Sequence, residues 1–359
     1  MEKTTVLVTG VGGGAVGEQI LKALRLSEKK YRIVGTDVTV NSTGLMNVDI
    51  PIIIHPAKHP DFIHTLTSIC KKYDVKIIFP GSEPELKAIS SNRRMFQEQD
   101  VFLPLNPQSV IDTCSDKNLF AKILKQNNIP VPHTEGVSTM AELENITTLP
   151  AVLKPSTESS GSVNVFIAQT KNELLSFGKY MLNLYPKITV QEYIGTVDSE
   201  YTVGVLSTMD GELINSIAVR RNILSTLSNK IKLVNKTPRK ELGEYLAIST
   251  GISQGTIGRF PEVTEYCEKI AKKLGACSSI NIQCRLFEDK LYIFEINPRF
   301  SGTTSLRAMV GFNEPDIMIR NQLFGEKFEK HFTYGSGTIM RGITEYFIHP
   351  KKVSDFTQK

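Results

Sequence analysis

Apolar and polar positions change rhythm twice along the chain. In the first stretch, short apolar runs end at turn residues and alternate with segments of helical spacing. TTVLVT, YRIVGTDV, VKIIFPG and VFLPL read as buried strands, and 15–28, 60–73 and 83–97 repeat apolar residues at helical intervals. Strands alternating with helices predict a parallel sheet with helices on its faces, which binds ligands at the carboxyl ends of its strands. Two loops fall at that edge, GVGGGAVG and PGSEPEL at 80–86. In the second loop Ser82 has the place of a helix N-cap, with Glu83 and Glu85 in the first turn. That alone accounts for these residues. The sharper reading turns Ser82 and Glu83 toward a ligand.

The rhythm changes near residue 106. After an Asn-Pro turn come two helical segments, the second opened by Asp116 and Lys117. AVLKP then reads as a buried strand, joined by STESSGS to a second strand, VNVFIAQ. A lysine inside an apolar strand needs a partner, because an unpaired buried ammonium is costly. A Ser/Gly loop can cradle phosphate oxygens with its amides and hydroxyls. The alternative is a mobile hairpin loop with Lys154 reaching solvent. KITVQEYIGTVDSEYTVGVL gives two more strands, where Gln191, Glu192, Tyr193 and Ile194 could offer edge hydrogen bonds and an apolar wall to a planar base. DG at 210–211 predicts a hairpin. The polar, weakly periodic 223–258 could form a mobile lid, part of which would close over the site.

The third rhythm is strict alternation. In SSINIQCRLFEDKLYIFEINPRFSGTTSL, Ile282, Cys284 and Leu286 share one face, and Asn281, Gln283 and Arg285 the other. With a turn at 288–290, Tyr292, Phe294 and Ile296 group together, and Glu295 and Asn297 lie opposite. A three-residue turn would set Gln283 across from Glu295, with Cβ atoms roughly 5 Å apart. One carboxylate and two amides form a patch of hard oxygen donors, of the kind magnesium takes. Arg299 continues that face and could hold a phosphoryl group. An ordinary solvated hairpin face is the alternative.

Composition narrows the function classes. The chain has 359 residues, enough for two or three domains, with 40% hydrophobic content. A net charge of +5 suits anionic small molecules and is too weak to argue for nucleic acid. Five dispersed cysteines suggest reduced thiols. With no signal-like segment or membrane span read in the chain, a cytoplasmic location is expected. His55, His59 and His64 fall in a proline-broken stretch that reads as a surface loop rather than a zinc site. In GVGGGAVG, Gly12, Gly14 and Gly17 spell G-x-G-x-x-G, and Asp37 follows where a ribose-binding acid would stand, so a dinucleotide-binding oxidoreductase is one reading.

Together these stretches resemble the ATP-grasp superfamily, in its carbamoyl phosphate synthetase-like branch, over nearly the whole chain. FEINPRFSGTTSL and NIQ are similar to its metal-bearing strands, VLKP and SSGS to its phosphate lysine and flexible phosphate loop, and QEYIGTVDSEYTV to its adenine-and-ribose segment. The resemblance implies an α/β fold, α+β in its C-terminal part. A Rossmann-like pre-ATP-grasp domain (1–112) would precede a small subdomain (113–190) and a large one with the metal site (191–359), ATP lying between the two. It implies that Lys117 and Lys154 contact ATP phosphates and that Ser159, Ser160, Gly161 and Ser162 close over them. Gln191, Glu192, Tyr193 and Ile194 would meet adenine, and Glu200 the ribose. Gln283, Glu295 and Asn297 would hold Mg²⁺, expected as two ions with Mn²⁺ as a substitute. Arg299, with Lys154, would be catalytic. Gly13, Gly14, Ser82, Glu83, Arg220 and Arg221 are weaker substrate candidates.

The chain departs from that branch in having a single ATP-grasp unit, no glutaminase region, and Gln283 where many relatives have an acid. The implied activity is a carboxylate–amine ligase working through an acyl phosphate on small-molecule substrates, with no nucleic-acid or membrane partner and a homodimer left open. The dinucleotide oxidoreductase and a non-catalytic ATP sensor are the alternatives.

Overall fold

A computed structural model describes residues 3–14, 16–156 and 164–346. The N-terminal unit alternates β1 (Thr5–Val8), α1 (Val16–Leu26), β2 (Arg32–Asp37), β3 (Ile50–Ile53), α2 (Phe62–Tyr73), β4 (Val75–Phe79), α3 (Glu83–Ser91) and α4 (Arg93–Gln97). Its sheet runs β3-β2-β1-β4, all parallel. Three corrections to the sequence reading apply. VFLPL contributes only a parallel bridge, Phe102 to Ile77. The strand β3 was not expected, since Pro51 interrupts a short run. The helix expected over 83–97 breaks at Asn92, whose side chain donates to Ala88 O and ends the first segment.

Next come α5 (Gln108–Ser115) and α6 (Lys117–Gln126). An antiparallel sheet follows in the order β5-β8-β6-β7, from β5 (Thr134–Val137), β6 (Ala151–Pro155), β7 (Phe166–Ala168) and β8 (Ile188–Glu192). The helices α7 (Met140–Glu144) and α8 (Lys171–Leu184) bury Leu143, Leu174 and Met181 against its Leu153, Ile188 and Val190. The expected domain limits at 112 and 190 each cut through an element, α5 and β8.

The large sheet is built from β9 (Glu200–Ser207), β10 (Leu213–Arg221), β13 (Gly255–Gly258), β14 (Ser278–Phe287), β15 (Lys290–Asn297) and β16 (Gly337–Ile339), in the order β15-β14-β9-β10-β13-β16. On one face α9 (Pro261–Leu274) packs Val263, Cys267 and Ile270 against Val203, Ala218 and Ile282. On the other, α10 (Thr304–Met309) and α11 (Glu314–Phe324) share one cluster with Ile217, Val219 and, from the N-terminal unit, Ile20 and Leu24. That shared core locks the N-terminal unit to the large sheet.

The stretch that could form a lid carries regular structure. β11 (Asn229–Val234) and β12 (Tyr245–Ser249) pair as a hairpin, and 255–258 is the strand β13 within the large sheet. Ile231, Leu233 and Leu246 pack on Ile167 and Tyr193, so apolar burial holds the hairpin down. Among the described residues no helix is long and apolar enough to cross a membrane.

Candidate active site

The β14–β15 hairpin turns on two residues, Glu288 and Asp289, both at positive φ (47° and 58°), rather than the three expected. Phe287 pairs with Lys290 and Cys284 with Ile293, but one step further Gln283 pairs with Glu295 and Asn281 with Asn297. Phe294 is therefore an extra residue, a β-bulge. A bulge reverses which alternate residues face the core. Before it Leu291 and Ile293 are buried; after it Ile296 is. The expected grouping of Tyr292 and Phe294 with Ile296 is corrected by this bulge. The same bulge brings Gln283 opposite Glu295.

Across the cleft, β6 supplies Lys154. Its Nζ donates to Gln191 Oε1 at 2.9 Å and to the carbonyl of the bulge residue Phe294 at 3.4 Å. Burial pushes the ammonium down to about 8; Lys117 adds repulsion and Glu295 opposes both. Asn297 Nδ2 donates to Glu295 Oε1 at 3.2 Å, so the carboxylate and amides form one polar face. Arg299 Nη2 donates to Asn297 Oδ1 at 3.2 Å and to Glu83 Oε1 at 2.9 Å, bridging this face to the N-terminal unit.

These groups line a cleft of about 540 Å³ between the two sheets and the N-terminal loops. Of the sequence candidates, Gly13, Gly14, Ser82, Glu83, Lys117, Lys154, Gln191, Glu192, Tyr193, Ile194, Glu200, Arg221, Gln283, Glu295, Asn297 and Arg299 line it. Arg220 does not: strand alternation turns it to solvent while its neighbour Arg221 is buried. Ser159, Ser160, Gly161 and Ser162 lie outside the described residues.

Glu200 has a fuller set of partners than a ribose ligand needs. Arg285 donates to it at 2.9 and 3.1 Å, Arg221 at 2.8 Å and Ser249 at 2.9 Å. Burial would raise the Glu200 carboxyl, but the Arg285 and Arg221 guanidiniums hold it below its ordinary value. The same arginines clasp the β11–β12 hairpin, Arg285 through Ala247 O and Arg221 through Thr250 O just past its end. Sequence reasoning set Arg285 on the polar face beside Gln283 but found it no role. Its partner lies 85 positions away, and only the β14–β9 register joins them. Thr202 and 301–303 also line the cleft and were not singled out, and 249–253 belongs to the stretch read as a possible lid.

The glycine loop is occupied from within. Gly12 N donates to Asp37 Oδ2 at 2.9 Å, and Gly14 N to Glu18 Oε2 at 2.7 Å. Amides that would meet a dinucleotide pyrophosphate thus hold the chain's own carboxylates. Gly17 serves packing, since a Cβ there would stand 2.2 Å from Thr9 O. Ser82 does cap α3, accepting from Glu85 N, while also lining the cleft. His55 and His59 stack at 3.9 Å in a surface loop, with Asp61 beside them and all three exposed.

The oxygen set at Gln283, Glu295 and Asn297 fits a hard divalent cation such as Mg²⁺, with one carboxylate leaving room for phosphate ligands. No thiol or imidazole lines the cleft among the described residues.

Comparison with known proteins bears on the family and the fold. Residues 185–345 match a family model described as ATP-grasp in the biosynthetic pathway with Ter operon, and residues 6–103 match the PylC-like, N-terminal domain. The chain is homologous to the carbamoyl phosphate synthase large chain of Clostridium perfringens, 28% identical over 92% of this chain and 30% of that protein. It spans less than a third of the length of the curated relatives it matches. The biotin carboxylase domain of Hydrogenobacter thermophilus 2-oxoglutarate carboxylase, solved with MgADP and bicarbonate, superposes with a TM-score of 0.61 at 16% identity, covering 92% of this chain and 72% of that one. L-amino acid ligase from Bacillus licheniformis gives 0.59 at 15% identity, covering 90% and 75%.

Proposed function

We propose that this chain, an ATP-grasp fold behind a PylC-like N-terminal domain, is an ATP-dependent carboxylate–amine ligase that releases ADP and phosphate. The observation carrying this reading is the convergence of Lys117, Lys154, Arg299 and the Gln283/Glu295/Asn297 face in one cleft. Homology to carbamoyl phosphate synthase and likeness to amide-forming and carboxylating ligases support it.

In the first step a substrate carboxylate oxygen attacks the γ-phosphorus of ATP; the bond to the β-phosphate oxygen breaks and ADP leaves. In the second, an amine attacks the acyl carbon and phosphate departs. Lys154 and Lys117 neutralise phosphate charge, and Arg299 steadies the transferring group. Mg²⁺ held by Gln283, Glu295 and Asn297, two ions with Mn²⁺ as a substitute, supplies further charge neutralisation. The adenine lies against Tyr193 and Ile194, between the small sheet and the hairpin 229–249. Gln191 and Glu192 edge that pocket, and Glu200 organises it through Arg221 and Arg285 rather than serving the ribose alone. Gly13, Gly14, Ser82 and Glu83 bound the substrate end. The enzyme acts in the cytoplasm on small molecules, without nucleic acid, as a monomer or homodimer.

The test is ADP release from MgATP with pooled amino acids and small carboxylates. Acceptor-dependent ADP and phosphate in equal amounts is the expected result. AMP and pyrophosphate would replace the acyl phosphate with an adenylate, and ATP binding without turnover on any acceptor would favour a sensor.

A further inference from the structure

We propose that Glu83 receives the ammonium group of the amine substrate and takes its proton, and that the Glu83–Arg299 ion pair keeps this place closed until nucleotide is bound. The inference rests on the ligase reading and names a residue for a step that reading leaves without a base.

Four carboxylates line the cleft among the described residues, Glu83, Glu192, Glu200 and Glu295. Glu192 is bound by Arg239 at 2.7 Å, and Glu200 by Arg221 and Arg285. Glu295 belongs to the oxygen face with Asn297. Glu83 comes from the other wall, at the start of α3 in the N-terminal unit, and meets Arg299 across the cleft at 2.9 Å.

Arg299 is poised to leave that pair. Its Nη1 donates to Phe300 O and its Nη2 is shared between Glu83 and Asn297, while its buried Nε has no partner. A phosphate dianion beside the oxygen face offers a guanidinium more acceptors and more charge than one shared carboxylate oxygen does. Once Arg299 turns to phosphate, Glu83 loses its guanidinium. Lys117 and Lys87 line a small cavity with Glu83, and Lys117 lines the main cleft as well. Glu83, 29% exposed, then faces the cleft whose N-terminal wall also carries Ser82, Gly13 and Gly14. A primary ammonium, compact and with three donors, fits such a place.

The step balances. The ammonium gives one proton to the Glu83 carboxylate, and the freed nitrogen lone pair attacks the acyl phosphate carbon. The C–N bond forms as the C–O bond to phosphate breaks. The departing phosphate takes the bonding electrons and the nitrogen's second proton. Glu83 later returns its proton to water.

The test uses the full chain with MgATP and pooled amino acids as carboxylates, and offers either amino acids or hydroxylamine as the nitrogen nucleophile. Hydroxylamine is largely uncharged near neutral pH and needs no ammonium anchor. Glu83→Gln should lower amide formation about 100-fold while hydroxamate formation falls no more than about threefold, and Glu83→Asp should recover part of the amide rate. Glu83→Gln should also bind MgAMPPNP at least as tightly as wild type, because Arg299 is released. Equal losses with both nucleophiles, or weakened MgAMPPNP binding, would overturn the proposal and leave the ligase reading in place. No hydroxamate from the wild type with any carboxylate would overturn both.

Discussion

Two regions of this chain carry the sequence marks of a ligand site, and they differ in where their polar groups go. In the glycine loop, Gly12 N holds Asp37 and Gly14 N holds Glu18. Every feature that suggested a dinucleotide is spent on the protein's own turn. In the β14–β15 hairpin, a bulge turns Gln283, Glu295 and Asn297 into a cleft walled by Lys154 and Arg299. The polar groups there also pair with one another, Lys154 with Gln191, Asn297 with Glu295 and Arg299 with Glu83, but they do so along the wall of an open cleft of about 540 Å³. A motif reports residue types; whether they close a turn or wall a cleft decides between packing and binding.

The contrast can be broken most severely at Glu295. Glu295→Ala should cost about 4 kcal/mol of transition-state stabilisation, roughly a thousandfold in ADP formation, with the circular dichroism spectrum unchanged. Retained activity would remove Glu295 from the site. Gly17→Ala probes the other region: its Cβ would stand 2.2 Å from Thr9 O and 2.3 Å from Gly10 O. It should lose about 3 kcal/mol in urea unfolding while the folded protein keeps its MgATP affinity.

Lys154 gives a pH signature. Its ammonium titrates near 8 in the free protein, so MgATP affinity should fall about tenfold per pH unit above that value. Stability of the free protein should move the other way. Between about 8 and the ordinary 10.5 the unfolded chain holds the extra proton, so unfolding becomes less favourable as pH rises through that window. Lys154→Met should flatten both profiles in titration calorimetry and urea unfolding. The smallest effect is expected at Gly14, where φ is +72° and a Cβ meets nothing closer than Glu18 at 4.0 Å. Gly14→Ala should cost about 1 kcal/mol of stability through its left-handed backbone and change MgATP affinity less than about twofold. A large loss of nucleotide affinity would put the glycine loop back in the binding site.

Much of the frame is legible in the sequence because burial imposes period. The alternation in 278–297 and the helical spacing in 15–28 each report a surface that must face a core. The opposition of Gln283 and Glu295 was also legible, but through a different route from the real one. A two-residue turn and a bulge at Phe294 give the register that a three-residue turn would have given. Glu288–Asp289 carries no Asn-Gly-type signal to reveal its positive φ angles. The β11–β12 hairpin was hidden in polar sequence although Ile231 and Leu233 alternate with Lys230 and Lys232. The charge pairs were not legible at all: Arg299 meets Glu83 over a separation of 216 positions, and tertiary structure alone brings them together.

The most direct measurement is a side-by-side calorimetric titration of the full chain with MgATP and with NADH, repeated in EDTA. The account predicts that ATP binds, that its affinity drops when Mg²⁺ is removed, and that NADH gives no heat of binding. NADH binding without ATP binding would mean that the glycine loop, not the hairpin cleft, is the nucleotide site.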